Sequence, residues 1–145
     1  ESNLPTHALD HKAFDSRDQF DHALQIQIDL YEPDFIILAG FMRRLGAEFV
    51  KHYPKKIINI HPSLLPKYPG LDTHQKVLDH RDKEHGVSIH YVTEALDAGP
   101  LIAQKKFTVT AKDTVDSLKE KAQAIEHQLY PDVLRQLAVG CEHTE

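Results

Sequence analysis

The sequence predicts an open α/β fold with a mostly parallel sheet and helices on both faces, and three observations predict it. The run Phe35-Ile36-Ile37-Leu38 is apolar without alternation, the pattern of a strand covered on both sides. A second such run, Lys56-Ile57-Ile58-Asn59-Ile60, follows after a stretch of helical periodicity. Together with the elements before them, these runs give the order β-α-β-α-β, the way parallel strands are connected. At 145 residues, of which 41% are hydrophobic, the chain can build one core, so a single domain over residues 1–145 is expected.

Thr6-His7-Ala8-Leu9 is the first, weak strand candidate. Asp15 or Ser16 then caps a helix with Phe20, Ala23, Leu24, Ile28 and Tyr31 at helical spacing, and Pro33 stops it. Asp34 to Ala39 is the compact strand, followed by Gly40. A second helix carries Leu45, Phe49, Val50 and Tyr53 on one side and leads to the strand ending at Asn59. Asp72 caps a short helix holding Val77 and Leu78. Val87, Ile89 and Tyr91 alternate with Ser88, His90 and Val92 in a further strand, and another runs from Pro100 to Val109. The last helix starts at Asp113 or Thr114 and buries Val115, Leu118, Ala122, Ile125 and Leu129. Pro131 is expected to kink it or to open a separate helix through Leu137.

A net charge of −5 supplies no basic surface for nucleic acid or anionic lipid, and a small soluble partner is expected instead. The single cysteine, Cys141, lies in a polar tail, so a thiol nucleophile has little support and a reducing cytoplasm fits. No apolar run approaches membrane-spanning length. The start, Glu1-Ser2-Asn3-Leu4-Pro5, lacks methionine and the features of a signal or transit peptide. It enters what reads as the middle of a domain, which predicts a fragment. Eleven histidines, His7 and His11 among them, raise the alternative of a metal-binding module. Without cysteine partners or a His-Glu-x-x-His pattern, no metal is expected.

The candidate chemistry lies in Asn59-Ile60-His61-Pro62-Ser63-Leu64-Leu65-Pro66-Lys67-Tyr68-Pro69-Gly70, at the carboxyl end of a strand, where ligands of open α/β sheets bind. Residues i and i+2 of an extended chain face the same way, so Asn59 and His61 can address one reacting group. The second candidate is the connection Thr93-Glu94-Ala95-Leu96-Asp97-Ala98-Gly99-Pro100. One helix and one strand separate it from His61, enough to bring the Asp97 carboxylate beside the imidazole, where it would favour the imidazolium. The plainer alternative stays open on spacing alone: Asp97 as a turn former, His61 as a loop residue and Asn59 as a strand-end amide.

From about Pro5 to Gly140 the chain resembles the phosphoribosylglycinamide formyltransferases, folate-dependent enzymes of purine biosynthesis with a Rossmann-like formyltransferase fold. The matches are Leu38-Ala39-Gly40-Phe41-Met42-Arg43, the whole Asn59 to Gly70 run, Glu84-His85-Gly86, Val92-Thr93, Leu96-Asp97-Ala98-Gly99-Pro100 and Glu126-His127. The resemblance implies transfer of a formyl group from 10-formyltetrahydrofolate to glycinamide ribonucleotide without a covalent enzyme adduct. It implies Asn59, His61 and Asp97 as the catalytic group, with His61 as acid or proton carrier and Asn59 steadying the formyl oxygen. Folate contacts carried over are Arg17, Met42, Arg43, Arg44, Leu45 and Asn59, together with Thr93, Glu94, Ala95, Leu96 and Asp97. Nucleotide contacts are Gln123, Ala124, Ile125 and Glu126. A cation at Arg17, in the first helical turn, opposes the helix dipole and so needs another reason to be there, although Asp15 and Asp18 can balance it. On helical periodicity alone Ile125 is core and Glu126 a solvated face.

Arg44 stands where an aliphatic residue is expected in such enzymes, and Asp72 where bacterial relatives carry histidine. The family's amino-terminal part, a strand with a glycine-rich phosphate-cradling turn and a second strand, has no counterpart here. The resemblance therefore implies a formyltransferase domain lacking its first two strands, poor nucleotide binding and slow or no transfer by this chain alone. Its unpaired, apolar Phe35–Leu38 edge would invite aggregation or pairing with another chain, and a homodimer is a candidate assembly. The competing readings are a folate-binding but catalytically impaired fragment, a formyltetrahydrofolate deformylase and a methionyl-tRNA formyltransferase. The last would be expected to carry a basic carboxyl-terminal module, and this chain ends at Glu145.

Overall fold

A computed structural model describes residues 8–9, 13–38, 45–94 and 98–142, with backbone only for 139–142. Helix α1 (Arg17–Asp29) starts where Ser16 Oγ accepts from the Gln19 N–H, one of the donors a helix start leaves unpaired. It ends at Leu30, ahead of Pro33. Strand β1 (Ile36–Ile37) is followed by α2 (Ala47–His52) and β2 (Ile57–His61). Then come α3 (Thr73–Asp79), β3 (Glu84–Tyr91), β4 (Leu101–Thr108) and α4 (Val115–Glu142).

The strands form one open sheet in the order β1-β2-β3-β4. β1 and β2 are parallel, as their helical connection requires, whereas β2–β3 and β3–β4 are antiparallel. The sheet over the described residues is therefore mixed where a mostly parallel one was expected. A hydrophobic run does not encode strand direction: β3 returns antiparallel to β2 although α3 lies between them, and β4 returns along β3 with no helix among the described residues between them. Other boundaries also shift. Thr6 and His7 lie outside the described residues, and Ala8 and Leu9 are not in a strand. β3 begins at Glu84, ahead of its alternating stretch. Asp72 sits at the α3 N-cap, but with φ 59° its side chain makes no capping hydrogen bond among the described residues. Pro131 lies inside a single 28-residue helix and starts no second one.

Helices cover both faces of β2. On one face Ile57, fully buried, packs with Phe49, Val50 and Tyr53, and Leu24 and Ile28 of α1 close over them. On the other, Ile58 and Ile89 meet Val133, Leu129, Tyr130, Leu134 and Leu137 of α4. The Tyr130 hydroxyl lies 2.8 Å from the Leu38 carbonyl and 3.1 Å from that of Ile58, pinning α4 to both parallel strands. Asp21, buried on α1, accepts from the Gly46 N–H at 2.8 Å and so holds the start of α2. Among the described residues, no helix is long and apolar enough to cross a membrane.

Candidate active site

Strand alternation places Asn59 and His61 on the Ile57 face of β2. The antiparallel register sets His90 opposite Asn59 and Ser88 opposite His61, so these four share one face. Asn59 is partly exposed and His61 is 6% exposed. Asn59 and His61 thus share one face at the end of a strand, the first partly accessible and the second buried.

The loop after His61 is fastened across β3. Ser88, fully buried, donates its hydroxyl to the Ser63 carbonyl at 2.6 Å and accepts from the Leu65 N–H at 3.0 Å. Gln104 of β4 donates to the Leu65 carbonyl at 2.7 Å and to Ser88 Oγ at 2.9 Å. Leu64 lies over Gly86, where a Cβ would come within 2.7 Å of Cδ2 of Leu64 and 2.2 Å of the Lys105 carbonyl. Glycine is required there by close approach. Ser63 Oγ donates to the Lys67 carbonyl at 2.6 Å, and His61 Nε2 donates to the Tyr68 carbonyl at 2.9 Å. The imidazole is therefore oriented by a loop that is itself braced by two strands.

Two further histidines lie beside it. His74 Nδ1 and His85 Nε2 are 2.9 Å apart, so one ring donates to the other, and His85 is buried against Phe107. Burial, then the charges of Lys119 and His61, lowers His74. Burial pushes His85 down to about 4, with the His74 charge adding to it. This pair went unremarked in the sequence, although Glu84-His85-Gly86 is one of the matched segments. Among the described residues, no group of three His, Cys, Asp or Glu side chains is arranged to hold a metal.

The remaining expected contacts divide sharply. Met42, Arg43, Arg44, Ala95, Leu96 and Asp97 lie outside the described residues. Leu45 packs against the Phe49–Ile57 cluster. Thr93 and Glu94 are exposed, and Glu94 faces Lys51 of α2 at 3.9 Å. Their loop leaves β3 beside the start of β2, where the Val92 N–H donates to the Ile57 carbonyl. It returns through Gly99, where a Cβ would meet the Tyr91 carbonyl at 1.8 Å. As expected, a helix and a strand separate this loop from His61, but the described ends of the loop stand at the opposite end of β2 from the imidazole. Arg17 is exposed at the first position of α1, and no hydrogen bond or ion pair joins it to β2 among the described residues. On α4, Gln123 and Ala124 are exposed and Ile125 is partly buried. Glu126 is partly buried too, and that burial raises its carboxyl, against the opposing pull of His127. Glu126 therefore does not sit on the fully solvated face that periodicity suggested.

A mixed α/β sheet with an amide and an imidazole on one strand end suits acyl transfer without a covalent enzyme adduct. The chain belongs to the formyl transferase family, whose model matches residues 1–134. Among its relatives is the phosphoribosylglycinamide formyltransferase of Escherichia coli (strain K12), 49% identical over 140 residues, which cover 97% of this chain and 66% of the relative. The Bacillus subtilis (strain 168) enzyme of the same name is 38% identical, over 93% of this chain and 69% of that one. The phosphoribosylglycinamide formyltransferase of Coxiella burnetii, solved in complex with CHES, superposes with a TM-score of 0.88 at 54% identity, covering 95% of this chain and 65% of that one. This chain thus spans about two thirds of the length of these three relatives.

Proposed function

We propose that this protein transfers the formyl group of 10-formyltetrahydrofolate to the amine of glycinamide ribonucleotide, in de novo purine biosynthesis in the cytoplasm. The observation that carries the reading is the Asn59–His61 pair on one face of β2, with the imidazole oriented by a braced loop. The amine attacks the formyl carbon, the new C–N bond forms, and the carbonyl pair moves to oxygen. The Asn59 amide donates a hydrogen bond to that oxyanion. His61 takes the proton the amine loses and returns it to N10 as the C–N10 bond breaks, which restores the carbonyl and the enzyme. Asp97 completes the catalytic group by favouring the imidazolium. The reduced folate is held by Arg17, Met42, Arg43, Arg44, Leu45 and the 93–97 loop, and the nucleotide by Gln123, Ala124, Ile125 and Glu126. The half-buried carboxylate of Glu126 supports that last assignment, because such a group can accept hydrogen bonds from ribose hydroxyls.

The test is single-turnover transfer at high protein concentration, following formyl glycinamide ribonucleotide and tetrahydrofolate by mass spectrometry. His61→Ala is expected to lose ~10²–10⁴ in rate, and Asn59→Ala ~2.7–4 kcal/mol of transition-state stabilisation. Near-normal turnover in His61→Ala would remove His61 from the chemistry. Formate release that needs no glycinamide ribonucleotide would replace transfer with deformylation.

A further inference from the structure

Tyr130 stands where the two parallel strands give out. Among the described residues, β1 and β2 are joined as far as the Leu38 N–H, which donates to the Ile58 carbonyl at 2.8 Å. There the Tyr130 hydroxyl arrives from α4, 2.8 Å from the Leu38 carbonyl and 3.1 Å from that of Ile58. A phenol has one hydrogen, so it donates to Leu38 with Ile58 as a second acceptor within reach. Burial, then the negative charge of Glu126, pushes this phenol above its ordinary range, so it stays a donor. Glu126 lies one turn earlier on the same face of α4, and burial raises its own carboxyl. Pro131 follows Tyr130 directly and has no N–H for the His127 carbonyl, so the helix backbone holds this turn less firmly than its neighbours. The hydroxyl supplies a directional tie to the sheet at that point, which apolar packing does not. The Ile58 carbonyl belongs to the peptide unit that leads into Asn59, and a peptide unit is planar, so holding its oxygen fixes the plane from which Asn59 projects. Leu38 is the last described residue before the segment bearing Met42, Arg43 and Arg44.

We infer that Tyr130 is a positioning residue, whose hydroxyl sets Asn59 and the end of β1 against the α4 turn that carries Glu126, and so places formyl donor and acceptor amine for attack. The effect on catalysis rests on the formyl-transfer reading above; the hold on Asn59 does not. Tyr130 acts through the two carbonyls and exchanges no proton with the substrates.

The experiment compares Tyr130→Phe, which deletes the hydroxyl and keeps the ring, with Val133→Ala, which thins the packing of α4 on Ile58 and Ile89 and keeps the hydroxyl. Single-turnover transfer is followed at a temperature where circular dichroism shows each protein folded. ¹H–¹⁵N spectra follow the Asn59 side-chain amide, assigned with Asn59→Asp. Tyr130→Phe should lower the maximal rate by up to about 10²-fold, with the half-saturating concentration of either substrate little changed, and should shift the Asn59 amide signals. Val133→Ala should lower the urea midpoint yet keep the wild-type rate and amide signals. Para-aminophenylalanine in place of Tyr130 restores an N–H donor and should recover most of the rate. A wild-type rate or unmoved Asn59 amide in Tyr130→Phe, or an equal loss of rate in Val133→Ala, overturns the inference. If Tyr130→Phe loses its native circular dichroism, para-methylphenylalanine, which fills the space of the hydroxyl without a donor, takes its place against the para-amino protein. Absence of transfer by wild type would sink the formyl-transfer reading and the effect on catalysis with it, while the amide spectra still decide the hold on Asn59.

Discussion

Lowering the pH from about 7 to about 4 puts the buried histidine pair under load. His85 is 1% exposed, and its imidazole is pushed from 6.5 down to about 4, first by burial and then by the charge of His74. Because the folded state binds this proton less readily than the unfolded chain, stability is whole above about pH 6.5, declines as pH falls from there toward 4, and levels off below. At ~1.4 kcal/mol per decade of proton affinity, the loss over that interval is about 3 kcal/mol. Folded domains hold only ~5–15 kcal/mol in total, so this is a large share. His74 is lowered as well, chiefly by burial, and acts in the same direction. The assay is urea unfolding across the pH range for wild type and for His85→Phe, which keeps a ring against Phe107 and deletes the titrating group. Wild type should lose about 3 kcal/mol more than the variant between the two ends of the range. Parallel stability curves would refute the reasoning.

Ile58→Ala should cost ~2–5 kcal/mol by urea unfolding, because Ile58 is fully buried between Ile89 and α4 and its removal leaves a cavity. Ser88→Ala strips partners from the Ser63 carbonyl and the Leu65 N–H at once, a loss of ~1–3 kcal/mol. Limited proteolysis should then cut between residues 62 and 66 sooner than in wild type. Gly86→Ala drives a methyl to 2.2 Å from the Lys105 carbonyl, so β3 and β4 must part; a loss of at least ~1–3 kcal/mol should appear as a lower Tm.

Some of this architecture is written locally and so is legible in the sequence. Ser16 announces α1 because its capping bond reaches only three residues, to Gln19. Ile57–Ile58 announces a buried strand because both faces must be apolar. The same pattern over Phe35–Leu38 predicted a strand covered on both sides, but β1 lies at the edge of the described sheet and Ile37 is exposed. The direction of β3 is not written locally. Val87, Ile89 and Tyr91 give the same alternation whichever way the strand runs, and the pairing of Ile58 with Tyr91 is settled by tertiary contacts. Pro131 removes a backbone hydrogen bond from the interior of a helix, yet the grip of Tyr130, Val133 and Leu134 on the sheet keeps α4 in one piece. At the site, Asn59 and His61 are legible from their two-residue spacing. The Tyr68 carbonyl is not, because every residue has a carbonyl and only a fixed loop makes one of them matter. Ser88 reads simply as the polar position of an alternating strand, and its three hydrogen bonds depend on segments 16 to 25 residues away.

The two-sided covering of β2 has a consequence for synthesis. One flank of that strand is clothed by segments translated before it, α1 and α2, whereas the other waits for Leu129 to Leu137. As the nascent chain leaves the ribosome, the strand bearing Asn59 and His61 stays wet on one side until α4 has emerged. A chain interrupted before α4 would carry a β2 strand clothed on one face and bare on the other.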